Sequence, residues 1–311
     1  MQEQEIRFKS GGIELVGTMA WPDSEGPFPC VLLIAGSGQI DRNENNKKFH
    51  LNAFYDISHY LAKNGIASLR YDKRGVGQSE GDHWSTGFYD HALDALAGLR
   101  YLKQQQNIQS KNIFLLGHSE GAFIAIRLAS VEAEAAGIIL LAGAAQSGEA
   151  VLKWQAIQVA NGLKGINGWL IKVLHIDVSK AQQKQIDKIK QSKKDWYRQQ
   201  LLVKINAKWL REFIIYNPAD DLPLITVPVL AITGSKDIQV DPADLDTMAH
   251  LVKAPFEQHR IQDMTHILRI EKGYASISKY KEEIKKPIEP QLLEIILLWI
   301  ENRINLMNKS K

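Results

Sequence analysis

In the run Gly117-His118-Ser119-Glu120-Gly121, a serine hydroxyl sits between two glycines, with apolar residues Ile113 to Leu116 before it. Ala122, Ile124, Ala125, Ile126 and Leu128 follow at spacings that suit a buried helix. A strand, a sharp turn at serine and a helix make a nucleophile elbow, which lifts the hydroxyl clear of a sheet. The flanking residues must be small because the adjoining segments pass close together. The same turn puts the Glu120 amide at a helix N-terminus, where N–H groups lack intrahelical partners and favour developing negative charge. With 22 glycines in 311 residues, a Gly-x-Ser-x-Gly match arises by composition in roughly one chain in ten. Context has to carry the motif, and here both flanks fit.

A serine hydroxyl becomes a useful nucleophile only when a base takes its proton and a third group orients that base. The order expected with such an elbow is serine, then acid, then histidine. Asp237 follows the Val229 to Thr233 strand through Gly234-Ser235-Lys236, and His266 follows the Phe256 to Gln262 strand through Asp263-Met264-Thr265. Other histidines fit less well. His118 adjoins the serine at a turn where neighbouring side chains diverge, His83 and His91 precede it, His250 falls on a helix, and His259 falls within a strand. Asp241 competes with Asp237 as the acid but looks better suited to N-cap a helix opened by Pro242. A second oxyanion donor is expected from the loop after Val31 to Ala35. The Ser37 amide fits by position, with Gly38 and Gln39 as open alternatives. The Asp72-Lys73-Arg74-Gly75-Val76-Gly77 loop lacks the ending and spacing of a phosphate-binding loop and reads as a structural turn.

These residues need a frame, and the rest of the chain supplies one. A hairpin is expected at Glu5 to Ser10 and Ile13 to Trp21. Buried strands follow at Val31 to Ala35, Ile66 to Tyr71 and Gly137 to Ala142, alternating with helices at Phe49 to Asn64, Tyr89 to Lys103, Ala243 to Val252 and Pro290 to Asn305. That alternation predicts a mostly parallel sheet with helices on both faces. Residues 148–220 break it, with helical patterns, no convincing strand, and four of the seven tryptophans: Trp154, Trp169, Trp196 and Trp209. The stretch holds 13 basic residues against 6 acidic, whereas the remainder holds 25 against 29. It is expected to form a helical cap over the strand ends, where open α/β sheets bind ligands. The core would then be 1–147 and 221–311, with the cap at 148–220.

At 45% hydrophobic, 23% charged and a net charge of +3, the composition is that of a globular chain with no call for nucleic acid. The longest apolar runs are too short for a membrane span, and the polar Met-Gln-Glu-Gln-Glu opening is unlike a secretory signal, so a cytoplasmic protein is expected. Cys30 is the single cysteine and begins a buried strand, and no histidine spacing suggests a metal. Neither metal nor cofactor is expected.

The Gly117-His118-Ser119-Glu120-Gly121 elbow, the Tyr71 to Ser79 loop, Gly234-Ser235-Lys236-Asp237 and Met264-Thr265-His266 together resemble the capped bacterial serine esterases of the α/β-hydrolase superfamily, in its serine aminopeptidase-like S33 branch. The resemblance spans about Ile6 to Ile300 apart from the cap, and the Gly36 to Asn43 loop looks like that of one prokaryotic esterase branch. It implies an α/β-hydrolase fold, a Ser119, Asp237 and His266 triad, and an oxyanion hole of the Ser37 and Glu120 amides. Many members begin the oxyanion loop with His-Gly, where this chain has Ala35-Gly36. The implied activity is hydrolysis of a small carboxylic ester, with a homodimer left open. A thioesterase or aminopeptidase on the same scaffold is the alternative within enzymes, and a ligand receptor that kept the fold is the alternative outside them.

Overall fold

Gly11 and Gly12, at φ of 55° and 89°, turn the chain between β1 (Gln2–Ser10) and β2 (Ile13–Trp21). Positive φ at both central residues is what such a two-residue hairpin demands, and glycine meets it without steric cost. The computed structural model describes residues 1–131, 134–162, 178–199 and 203–309. Its remaining strands are β3 (Phe28–Ile34), β4 (Ala67–Tyr71), β5 (Ile108–His118), β6 (Gly137–Leu141), β7 (Trp196–Gln199), β8 (Val203–Asn206), β9 (Val229–Gly234) and β10 (Phe256–Ile261). The helices are α1 (Ala53–Lys63), α2 (Phe88–Lys103), α3 (Glu120–Val131), α4 (Gly148–Gly162), α5 (Val178–Gln191), α6 (Ala207–Ile215), α7 (Pro218–Asp221), α8 (Asp244–Leu251), α9 (Tyr280–Glu283) and α10 (Pro290–Lys309).

Eight strands form one sheet in the order β1-β2-β4-β3-β5-β6-β9-β10. The hairpin joins antiparallel at one edge, and every pairing from β4 to β10 is parallel. The continuous apolar runs have a simple cause. In β3, Cys30, Leu32 and Ile34 enter the core beneath α2 and α3, while Val31 and Leu33 enter the opposite core beneath α1 and α10. The inner strands β5, β6 and β9 repeat this alternation, so both faces of each are covered and neither can be polar. Burying each such side chain stabilises the fold by about 1.5–3 kcal/mol. Parallel strands also send their carboxyl ends to one edge, so the loops after β3, β4, β5, β9 and β10 meet there.

Three local expectations need correction. The helix expected from Phe49 begins at Ala53, because Asn52 takes a left-handed φ of 52° and an Asn45 to His50 bridge holds the preceding residues in a loop. Asp241 does not cap α8 directly. That helix starts at Asp244, and the Asp241 carboxylate instead accepts the Ala243 N–H in the turn before it. Residues 148–220 do contain strands: β7 and β8 pair antiparallel, Tyr197 opposite Ile205, as a four-residue hairpin too short to register as an alternating pattern. Trp169 and the rest of 163–177 lie outside the described residues. Among the described residues no helix is long and apolar enough to cross a membrane.

The elbow depends on absent side chains. A Cβ on Gly117 would fall onto the Gly121 carbonyl, and a Cβ on Gly121 onto the Ile34 carbonyl. Both obstacles are backbone and cannot rotate away. Gly121→Ala is therefore expected to destabilise the protein by roughly 3 kcal/mol or more, read from the urea midpoint, whereas Ala122→Gly on the same helix should cost about 1 kcal/mol. Equal midpoints for the two variants would contradict this packing.

Candidate active site

Ser119 follows the last residue of β5 with φ of 55°, a left-handed conformation that non-glycine residues rarely adopt. Two backbone hydrogen bonds hold it: its N–H donates to Leu141 O on β6 at 2.9 Å, and its carbonyl accepts from Ala122 N at 3.0 Å. His266 and Asp237 arrive from the ends of β10 and β9. Ser119 Oγ lies 3.1 Å from His266 Nε2, and His266 Nδ1 lies 2.8 Å and 3.1 Å from the two Asp237 oxygens. Nδ1 faces a carboxylate and donates to it, which leaves Nε2 unprotonated and able to accept the serine proton. Asp237 is itself fixed by the Gln239 and Val240 N–H groups, which donate to its Oδ1 at 2.8 and 3.0 Å. Of the rivals weighed from the sequence, His250 lies on α8 and His259 on β10, where it pairs with Glu257.

The loop after β3 passes directly over the serine, since a Cβ on Gly36 would stand 3.3 Å from Ser119 Cβ. The Gly36 N–H donates to Glu44 Oε1 at 2.9 Å. That bond turns the Gly36 amide to Glu44, and no hydrogen bond is found for the Ser37 amide that follows it among the described residues. Glu120 opens α3 immediately after the serine, with its amide at the helix N-terminus.

Around these groups runs a buried polar frame that no sequence motif marks. Glu44, at a left-handed φ of 64°, faces His118 Nδ1 at 2.9 Å while also accepting from Gly36. His118 Nε2 lies 2.9 Å from the carbonyl oxygen of His266. Both ring nitrogens thus face acceptors, so both must donate, and the ring is an imidazolium. Burial opposes that charge, but the Glu44 carboxylate outweighs it and raises the His118 pKa above the usual imidazole value. The Glu120 side chain belongs to this frame too. Its carboxylate accepts from Lys73 Nζ at 3.0 Å, His91 Nδ1 at 2.9 Å and Trp209 Nε1 on α6 at 2.6 Å. Burial would raise its pKa, yet the charges of Lys73 and His91 hold it down at about 2. Lys73 also donates to Gly36 O at 2.7 Å, so the Tyr71 to Ser79 loop is a structural brace between the loop over the serine and the elbow. Glu44 belongs to no sequence motif, and its role shows only in its partners in space, the Gly36 N–H and His118 Nδ1.

Residues 48–273 match the Hydrolase_4 family, described as serine aminopeptidase, S33. Esterase EstD of Thermotoga maritima is 26% identical over 292 residues, which is 92% of this chain and 65% of EstD, so the chain spans just under two thirds of that relative. Among solved structures, the alpha/beta hydrolase GrgF from Penicillium sp. sh18 superposes with a TM-score of 0.65 at 15% identity, covering 97% of this chain and 99% of GrgF. Est1E from Butyrivibrio proteoclasticus, solved with ferulic acid bound, also gives 0.65, at 17% identity and with 96% and 99% covered. At such identities these likenesses establish the α/β-hydrolase fold, as the motifs led one to expect.

The Glu44 and His118 pair sets a pH signature. Because the folded His118 pKa is raised, the stability it contributes is complete below the unfolded value of about 6.5 and is lost as pH rises through the folded value. Glu44→Gln leaves a buried charge unpaired and is expected to cost about 3–5 kcal/mol at pH 6. The gap between wild type and variant in urea midpoints should narrow as pH is raised. A gap that is constant with pH would contradict the charged assignment.

Proposed function

We propose, for a chain that belongs to the serine aminopeptidase S33 family, that it hydrolyses carboxylic esters through an acyl-enzyme on Ser119. The observation that carries this reading is the relay itself, Ser119 Oγ to His266 Nε2 at 3.1 Å and His266 Nδ1 to Asp237 at 2.8 Å. A relative named as an esterase over 92% of the chain supports it.

In the first half-reaction the Ser119 oxygen attacks the ester carbonyl while its proton passes to His266 Nε2, and the carbonyl π pair moves onto oxygen. The Ser37 and Glu120 N–H groups donate to that oxyanion. Collapse of the tetrahedral intermediate breaks the bond to the alcohol oxygen, which leaves with the proton held on His266. Water then repeats the sequence on the acyl-enzyme and releases the acid. Asp237 keeps the imidazole in the required tautomer and offsets its transient charge. Losing one oxyanion donor typically costs about 10² to 10³ in rate.

We infer also that residues 148–220 are a cap on a core of 1–147 and 221–311. In support, Asn206 Nδ2 donates to the His83 and Thr86 carbonyls, and Trp209 donates to Glu120, so α6 and its approach are pinned above the strand ends. An aminopeptidase would need a free acid to hold the peptide amine. Two acids of this stretch already have partners: Glu149 pairs with Lys153 and Lys190, and the Glu212 carboxylate accepts the Tyr89 N–H.

A fluorophosphonate probe is expected to label the native protein at Ser119 and to leave Ser119→Ala unlabelled. Against a panel of 4-nitrophenyl esters of increasing chain length, Ser119→Ala should lose turnover while keeping its fold, and Asp237→Asn should lower kcat by roughly 10⁴. Retained turnover in Ser119→Ala would mean another nucleophile, and an unlabelled, inert native protein would favour a receptor.

A further inference from the structure

On the loop that passes over Ser119 opens a cleft of about 980 Å³, between the loop after β3, the loop after β4 and the β8 to α6 junction. Its wall is basic on both sides. Lys47 and Lys48 lie exposed on one rim, and Lys204 stands on the other with Nζ held 4.4 Å from the Trp84 ring centre and 4.2 Å from that of Trp196. Among the described residues, none of these three ammonium groups has a carboxylate partner. The one acid in the wall, Asp41, turns its Oδ1 to the Asn43 and Asn45 N–H groups of its own loop. Two buried imidazoles also line the cleft with one nitrogen each lacking any hydrogen-bond partner, His83 Nδ1 and His91 Nε2. Ser37 lines the same cleft, so its space is continuous with the loop that passes over Ser119.

We propose that this cleft receives an anionic group of the substrate, a carboxylate or phosphate carried on the acyl or alcohol part of the ester, with Lys47, Lys48 and Lys204 supplying the charge and Trp84 a flat apolar wall. The proposal rests on the ester-hydrolase reading for its reaction and goes beyond it in naming the substrate class. Lysine suits the task, because an ammonium meets either anion as a point charge without the paired geometry that arginine imposes. The indoles hold the Lys204 cation in place without neutralising it. Opposed lysines across a cleft would also raise the local concentration of an anionic ester and speed its capture.

The test compares esters of matched length with and without the anion: the 4-nitrophenyl hemiester of glutaric acid against 4-nitrophenyl pentanoate, and the butyryl ester of 4-hydroxybenzoate against phenyl butyrate. The native protein should favour the anionic member of at least one pair in kcat/KM by on the order of tenfold. That ratio should fall toward one in Lys204→Met combined with Lys47→Gln and Lys48→Gln, and should shrink with added salt. A native ratio at or below one in both pairs, or a ratio unmoved by the substitutions, overturns the proposal. If no ester is turned over, the hydrolase reading fails and binding decides the cleft separately. Tryptophan fluorescence of Ser119→Ala, titrated with glutarate and with inorganic phosphate, should saturate with one or both and lose that response in the lysine variant. A flat titration with both overturns the anion site.

Discussion

Ser119 holds a backbone conformation that it could not keep alone. A left-handed serine costs roughly 1–3 kcal/mol, and the cost is met by the packing of two glycines against carbonyls of the same turn and of the neighbouring strand β3. Those contacts bring α3 against the sheet so closely that the helix N-terminus lies next to the hydroxyl. The Ser119 hydroxyl and the Glu120 amide are therefore placed by one constraint. Any side chain at Gly117 or Gly121 would displace both together.

The other groups reach this point because parallel strands end at one edge, but topology alone leaves the loops free to wander. Buried charge limits that freedom. Glu44 joins the loop over the serine to His118, and His118 reaches the backbone of the loop that carries His266. Lys73 joins that first loop to Glu120, and Trp209 brings α6 to the same carboxylate. Three loops and one helix, α6, thus share the two buried carboxylates of Glu44 and Glu120. Buried pairs of this kind contribute little net stability compared with apolar packing, and breaking one partner is expensive. Their use here is to specify geometry: the buried carboxylates of Glu44 and Glu120 each meet several donors at once, which ties the loops that carry those donors together.

Much of this was legible in the chain. The inner strands announce themselves as unbroken apolar runs because both of their faces are covered, and Asp237 and His266, singled out by chain order and by their position after strands, are brought within hydrogen-bonding distance of each other. What escaped was of two kinds. Glu44, Lys73, His91 and the Glu120 carboxylate lie on separate loops, and their partnership has no period and no spacing along the sequence. The β7 and β8 hairpin escaped because four residues are too few to distinguish alternation from chance, and the start of α1 escaped because a left-handed Asn52 carries only a faint local signal. Short elements and contacts distant in sequence belong to tertiary structure, and only tertiary structure displays them.

The central claim is that one turn directs attack at a carbonyl whose oxygen faces two backbone amides. A crystal structure of the protein inactivated by a phosphonate ester tests it most directly. The account predicts phosphorus bonded to Ser119 Oγ and a phosphonyl oxygen about 2.7–3.1 Å from both the Ser37 and Glu120 nitrogens. An adduct on another residue, or a phosphonyl oxygen turned away from both amides, would contradict it.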